Sequence, residues 1–245
     1  MSNNESKSID ILGIKPVADA VSHVTKASVD GASAFLSRIC LPAAEELGLF
    51  LQDKVRTWRA KNATATLAEA QALFEKNHIG HDVHAHPRLV ASVVENSSWI
   101  DDRTLQQMWG GLLASSCSVS GNDETNLIFV NLLSQLTSLE VRILNYGCVN
   151  VSKYVTGDGL IMPERGVYVD LPTLQTITGT DDIHRIDMEL DHLNSLKLII
   201  GGFQLGGTHH EIGPTALALN LFVRCQGFMG SAVEFFNLKP PIPGT

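Results

Sequence analysis

Four histidines are crowded into one short polar segment, and their imidazoles are the side chains of this sequence best suited to bind a metal. They are His78, His81, His84 and His86. A tetrahedral zinc site needs nitrogen ligands at about 2.0–2.1 Å, and Asp82 could add an oxygen ligand or orient a histidine. Structural zinc sites usually combine two separated ligand pairs and often include cysteine. We therefore interpret the segment as a polar linker and expect no metal and no other cofactor.

A pair of adjacent acids is the other candidate for chemistry. Asp101 and Asp102 precede a predicted helix, where a general acid and base would have to face one pocket. Helix capping is the simpler interpretation, since an aspartate accepts hydrogen bonds from free backbone N–H groups at a helix start. The glycine-rich stretch GGFQLGG fits neither phosphate-binding pattern, and no GxSxG elbow occurs. We predict that the protein is not an enzyme.

The cysteines and the N-terminal sequence both indicate an intracellular protein. None of the cysteines forms a CxxC pair, and their apolar surroundings predict buried free thiols in a reducing compartment. The first ten residues, MSNNESKSID, lack the basic and apolar regions of a secretory signal. No run approaches the ~18 consecutive apolar residues of a membrane-spanning helix. We expect a cytoplasmic location. The cysteines are Cys40, Cys117, Cys148 and Cys225.

Composition favours helices and argues against general nucleic-acid binding. Hydrophobic residues make up 44% of the 245 residues and aromatic residues only 6%, which suits helices better than a β-sandwich. The formal net charge of −8 disfavours a polyanionic partner.

We predict a mainly α fold, in which a helical N-terminal body is followed by a winged-helix-like α+β module. Helical periodicity dominates the first part, and we expect every strand to lie after residue 150. Later, two short strands are predicted around Gly206 and Gly207, with His209 and His210 exposed at this hairpin. Pro214 is expected to start the last helix. The predicted divisions are a disordered segment 1–14, a helical domain 15–136, a winged-helix-like domain 137–236 and a proline-rich tail 237–245.

In the predicted winged-helix-like module, residues 182–198 occupy the position of the helix that would enter the DNA major groove, and this segment is acidic. Between Asp181 and Leu198 there are five carboxylates and two basic side chains, so phosphates would be repelled. A protein-docking or dimerising module is therefore favoured over a DNA reader. Asp187 and Asp191 are its candidate interaction residues.

A basic cluster with a tryptophan lies earlier in the chain. Its side chains could meet an anionic membrane or a phosphate, whereas the simpler interpretation is a solvated helix face. Peripheral membrane contact through residues 11–60 stays open as an alternative. The candidate interaction residues are Lys54, Arg56, Trp58 and Arg59, with Lys61 beside them.

The sequence resembles the abortive-infection alpha family of bacteria. The resemblance rests on LPAAEELGLFLQDKVRTWRAKNA at 41–63, HPRLVASVVENSSWIDDRTLQQMWGGLLASS at 86–116 and FVNLLSQLTSLEVRILNYG at 129–147. The closing LNSLKLII and EIGPTALALNLFVRC agree with the winged-helix end of such proteins, so that the likeness covers roughly 30–230. Within WGGLL, Gly110 stands where a helix former is expected, at a cost of ~1 kcal/mol relative to alanine.

The resemblance implies a role in phage defence, in which infected cells stop growing, without a known chemistry. No residue is transferred as catalytic. The leading hypothesis is a non-enzymatic interaction protein that uses the winged helix for protein docking or self-association. The alternatives are a membrane-acting effector that uses the N-terminal helices and, third, a DNA-binding transcriptional regulator.

Overall fold

The protein is mainly helical, with small antiparallel sheets. The structure, a computed structural model, describes residues 35–39, 56–77, 79–80, 82–204 and 206–239. Residues 35–39 are helical. The helices that follow in the described chain are α1 (Arg56–Lys76), α2 (Pro87–Ser98), α3 (Arg103–Ser115), α4 (Leu127–Leu133), α5 (Ser138–Asn150), α6 (Leu171–Thr178), α7 (Ile183–Ser195), α8 (Ala216–Cys225) and α9 (Ala232–Phe235).

The strands form two two-stranded sheets and one three-stranded sheet. They are β1 (His84–Ala85), β2 (Cys117–Ser118), β3 (Lys153–Val155), β4 (Ile161–Pro163), β5 (Tyr168–Val169), β6 (Ile199–Gly202) and β7 (His210–Pro214). All pairs are antiparallel: β1 with β2, β3 with β4, and β7 in the centre of the order β5-β7-β6. The register pairs Gly202 with Glu211, so the predicted turn at Gly206 and Gly207 does connect two antiparallel strands.

Side-chain caps explain where many of the helices begin. Each cap residue is extended, and its side-chain oxygen accepts a hydrogen bond from a backbone N–H of the first turn, which otherwise has no partner. In α5 the cap is reciprocal, since Glu140 also accepts from the backbone N–H of Thr137. The other aspartate and threonine caps are Asp102 for α3, Asp170 for α6, Asp182 for α7 and Thr215 for α8.

The expectation that every strand lies after residue 150 was wrong. His84 pairs with Ser118 and Ala85 with Cys117, within the part predicted to be all helical. Residues 82–86 lie between α1 and α2, with His84 and Ala85 extended, and the chain leaving α3 runs beside these two residues. Pairing gives partners to backbone groups that have no helical hydrogen bonds at this point.

Two helix boundaries also differ from the predictions. The segment 182–198 is helical only from Ile183 to Ser195, because Lys197 adopts a left-handed conformation (φ 58°) and the N–H of Leu198 bonds back to the carbonyl of Leu193. Pro214 closes β7 rather than starting a helix, since Thr215 caps α8. The short helix α9 then follows α8, which is therefore not the last.

Helix α3 lies at the centre of the core and depends on two adjacent glycines. Its Trp109 side chain is fully buried. A Cβ built on Gly110 would lie 2.8 Å from the carbonyl oxygen of Thr66 in α1, and one on Gly111 would lie 1.8 Å from that of Cys225 in α8. Alanine cannot fit at either position without moving the backbone of a neighbour. The expected advantage of alanine at residue 110 was therefore wrong, because close helix packing outweighs helix propensity.

Buried hydrophobic residues form a cluster that extends from Phe35 to Ala232. Helix α8 packs against both α3 and α5, so the core continues across residue 137. The predicted division into two domains at that residue stays a prediction.

Candidate functional site

Helix α7 has one buried face and one face open to solvent. Ile186, Leu190 and Leu193 are completely buried at helical spacing and hold the helix against the core. Met188 lies on the opposite side and is 66% accessible, and Ile183, in the first turn, is also exposed. An exposed methionine of this kind is a flexible apolar contact that adapts to a partner surface.

A buried carboxylate fixes the position of α7 relative to α5. Oε1 of Glu140 lies 2.6 Å from Nδ1 of His192. The hydroxyl of Thr137 donates to Oε2 of Glu189 at 2.6 Å, so the start of α5 is bonded to α7 at two points. These contacts fix the orientation of α7 on the core, with Glu140 fully buried and the side chain of His192 41% exposed.

The electrostatic state of Glu140 follows from its burial. Its side chain is inaccessible to solvent, and desolvation raises the pKa of this carboxyl above its ordinary value. Hydrogen bonds from Thr137 and His192 act in the opposite direction, and the negative charge of Glu189 adds to the increase. The carboxylate is thus stabilised by specific donors in a site that burial makes unfavourable for charge.

The charge that α7 presents outward is negative. Its single arginine, Arg185, is paired with Glu189 at 3.5 Å. Asp187 is half-buried and Asp191 is exposed, and neither has an ion-pair or hydrogen-bond partner among the described residues. These predicted interaction residues therefore lie on the same helix as the exposed Met188. The combination is an acidic surface beside an exposed apolar side chain.

The predicted hairpin histidines differ in their surroundings. His209 is exposed, as expected. The expected exposure of His210 was wrong: its ring is buried, stacks on Phe203 at 4.1 Å and accepts a hydrogen bond from the backbone of Gln204. Its aromatic contact favours burial, which lowers the pKa of His210.

The basic cluster is partly an intramolecular network. The side chain of Arg59 bonds to Glu95 at 2.6 Å and to the hydroxyl of Ser98 at 3.0 Å, and its guanidinium lies 4.1 Å from the ring centre of Trp99. Trp58, which is 40% exposed, lies 6.4 Å from Trp99. The sequence did not indicate Trp99 or Glu95. Lys54 and the side chain of Arg56 lie outside the described residues.

The candidate metal ligands are only partly described. His78 and His81 lie outside the described residues. His84 is exposed in β1, and His86 caps α2 by accepting a hydrogen bond from the N–H of Arg88 at 3.2 Å. Within the described ranges, no three or more histidine, cysteine, aspartate or glutamate side chains are grouped to hold a metal ion.

The paired acids have the structural role that was predicted. Asp102 accepts a hydrogen bond from the N–H of Leu105 at 3.0 Å and lies 3.4 Å from Arg142, while Asp101 is exposed. The same arginine donates to the carbonyl of Thr178. Asp102 and Arg142 therefore connect the start of α3 to the end of α6.

Cys117, Cys148 and Cys225 are buried thiols outside any disulfide, as predicted, and Cys40 lies outside the described residues. Burial raises the pKa of Cys148 to about 12 and also raises that of Cys225. Protonated buried thiols of this kind are poor nucleophiles.

The hypothesis of membrane action falls mainly on residues 11–60, most of which are outside the described part. In the part that is described, no helix combines the length and apolar character needed to cross a membrane.

Comparison with known proteins identifies the family. No curated protein and no solved structure matches the chain. The model of the family described as abortive infection alpha matches residues 60–204. The match contains the segments at 86–116 and 129–147 but excludes most of 41–63 and all of the closing EIGPTALALNLFVRC. Because this match spans more than half of the 245 residues, the chain belongs to the abortive infection alpha family.

Proposed function

We propose that this chain acts in bacterial phage defence as a non-enzymatic interaction protein, and that α7 is its docking helix. Family membership supports the biological context. The surface of α7 carries the molecular part of the proposal, because two carboxylates without described partners lie on one side of an exposed methionine. No residue is assigned a catalytic role.

The element order of residues 138–214 supports a winged-helix-like module. Helix α5 is followed by β5, the helices α6 and α7, and the hairpin of β6 and β7. The strand order β5-β7-β6 places the first strand beside the last, and the β3–β4 pair is an insertion after α5. In this arrangement α7 takes the place of the recognition helix and the β6–β7 hairpin that of the wing.

The chemistry of α7 favours a protein surface that carries a basic patch beside an apolar one. Asp187 and Asp191, one turn apart on the same side of Met188, would pair with lysine or arginine side chains, and Met188 would be buried beside them. Charge complementarity of this kind accelerates encounter and selects the partner, while the apolar contact supplies most of the affinity. A second copy of this chain and an unrelated protein are both possible sources of that surface.

Charge reversal on α7 tests the proposal. The double variant Asp187→Lys, Asp191→Lys should lose protection against phage in a plating assay and should lose the partner captured by the tagged wild-type chain. The matched control is Asp158→Lys with Glu164→Lys, which makes the same change in charge at two exposed residues near β4. The control should protect like the wild type.

Light scattering of the purified chain then separates self-association from binding of a different protein. Full protection and unchanged capture by the α7 double variant would contradict the proposal. An equal loss of protection and of partner capture in the control variant would also contradict it, because the loss would then be caused by the change in net charge and not by the surface of α7.

A further inference from the structure

Two tryptophans lie side by side on the surface of the helical body. Trp58 is in the first turn of α1, and Trp99 directly follows α2. Their ring centres are 6.4 Å apart, and the two residues are 40% and 50% exposed. Trp109, in contrast, is fully buried. Tryptophan is enriched at the energetic centres of protein interfaces, so an exposed pair of them marks a contact surface.

Polar contacts hold the ring of Trp99 in place. Its indole N–H donates to Glu95 at 3.0 Å. The guanidinium of Arg59 lies over the ring, 4.1 Å from its centre, and also bonds to Glu95 and to the hydroxyl of Ser98. The polar atom of this tryptophan is therefore satisfied within the chain, although half of the residue stays exposed. A side chain that is already ordered loses little conformational entropy when a partner covers it.

Lys61 adds a positive charge beside the aromatic pair. It is exposed and has no partner in the part of the chain that the structure describes. Because it follows Trp58 by three positions, the two side chains are neighbours on one face of α1. Together, Trp58, Lys61 and Trp99 form the tryptophan surface.

Bases outnumber acids around the tryptophan surface. Residues 54–61 contain four basic residues and no acidic one, and one of the four, Arg59, is paired with Glu95. After the second tryptophan come Asp101, which is exposed, and Asp102, which is paired with an arginine of α5. The sequence thus leaves three bases and one exposed acid here, a balance that favours an acidic partner.

The exposed side of α7 is complementary to the tryptophan surface in both charge and spacing. On α7, Met188 is followed three positions later by the exposed Asp191, and on α1, Trp58 is followed at the same interval by Lys61. Each helix therefore presents a large apolar side chain and a charge about one turn apart, and the two charges are opposite. Contacts between a methionine sulfur and an aromatic ring are favourable.

A second copy of this chain is the partner that this match indicates. Both surfaces are exposed in the folded chain, so each is open to a partner. With a net charge of −8, most other surfaces of the protein suit an acidic helix poorly. We infer that α7 of one copy docks on the tryptophan surface of another, with Met188 against the two rings and Asp191 beside Lys61. This inference rests on the docking role proposed for α7.

Sedimentation velocity of the purified full-length chain over about 1–100 μM protein tests the inference. The wild type should associate as its concentration rises, and added salt should weaken the association because it screens charge pairs. Lys61→Glu should weaken association by about tenfold or more, since it places like charges opposite each other. Trp58→Ala should weaken it to a similar degree through loss of an aromatic anchor.

Two control variants make the same chemical changes elsewhere. Lys76→Glu reverses a charge at the other end of α1, and Tyr154→Ala removes an exposed ring from β3. Both should associate like the wild type. A charge exchange then tests the pairing itself. A chain with both Lys61→Glu and Asp191→Lys again has opposite charges across the contact and should recover most of the affinity that Lys61→Glu loses.

A wild-type chain that stays monomeric over the whole range would overturn the inference. Association that Lys61→Glu and Trp58→Ala leave unchanged would also overturn it, as would equal weakening by the controls or a charge exchange that restores nothing. The docking proposal is decided separately, by phage protection in the α7 double variant. If that variant loses protection while the wild type is monomeric, α7 docks on a different protein and only the inference of self-association fails.

Discussion

Oε1 of the fully buried Glu140 lies 2.6 Å from Nδ1 of His192, fifty-two positions later in the chain. The contact connects the first turn of α5 to the last turn of α7, the helix with the exposed acidic surface. Glu140 also caps α5 through the N–H of Thr137 at 2.8 Å. One carboxylate therefore supports both a helix start and the orientation of a proposed docking helix.

Replacement of Glu140 by alanine should reduce the free energy of unfolding by about 2–3 kcal/mol. The variant loses half of a capping box and the hydrogen bond to His192. Chemical denaturation in urea measures the loss. Glu164→Ala, at an exposed site, should change stability by no more than about 0.5 kcal/mol. Equal stability of the two variants would contradict the structural role of Glu140.

The stability of the protein should depend on pH through Glu140. Because burial raises its pKa in the folded state, the folded chain binds more protons than the unfolded chain above pH 4.5, the ordinary value. This group's contribution is therefore fully present below pH 4.5 and is lost as the pH rises through the folded-state pKa. Glu140→Gln removes that dependence. Melting temperatures measured at a series of pH values from 4.5 upward should fall more steeply for the wild type than for Glu140→Gln. Parallel profiles of melting temperature against pH would contradict the prediction.

Gly111→Ala should destabilise the protein by about 3 kcal/mol or more. The added methyl group would overlap the carbonyl of Cys225, and either α3 or the end of α8 would have to move. Gly157→Ala is the control, since no atom lies within 4 Å of its Cβ position; it should stay within about 1 kcal/mol of the wild type. Denaturation curves give the free energy of unfolding of both variants. A Gly111→Ala protein as stable as the wild type would contradict the close contact between Gly111 and Cys225.

The full-length chain should not bind duplex DNA at physiological salt. Docking of α7 on a phosphate backbone would bring Asp187 and Asp191 towards a polyanion, while Arg185 is already paired with Glu189. Each like-charge pair at ~4 Å costs about 1 kcal/mol even in water. An electrophoretic mobility assay at several salt concentrations measures this. Tight, salt-sensitive binding would favour a transcriptional regulator instead.

Purified protein should contain less than one zinc ion per chain, and chelation should not lower its melting temperature. Elemental analysis and a melting curve with a chelator check both statements. His86 already accepts a backbone hydrogen bond at the start of α2, so recruiting it to a metal would disturb that cap. One zinc per chain, lost in a variant with His81→Ala and His84→Ala, would show that the histidine segment is a metal site.

The local features of this fold could be predicted from the sequence. Asp102, one of the two acids expected to cap a helix, caps α3. The hairpin around Gly206 and Gly207 was also found. Caps, turns and periodic apolar faces involve residues within a few positions of each other, so their types and spacing are sufficient to indicate them.

The candidate site was only half predictable. The acidic character of α7 follows from counting charges, and Asp187 and Asp191 were named from it. The spacing of Thr137 and Glu140 is a recognisable capping box. Nothing in either segment indicates that Glu140 would meet His192, because two side chains so far apart in sequence are brought together only by the packing of their helices.

Sequence alone thus determined the cap of α3, the hairpin, the acidic character of α7 and the family resemblance. Tertiary structure decided which side chains are committed to contacts within the chain. It paired Arg59 with Glu95 and buried His210 against Phe203. It also made Gly111 a packing requirement rather than a weak point of α3. These outcomes depend on distances between elements remote in sequence, and such distances are set by how the whole core fills its volume.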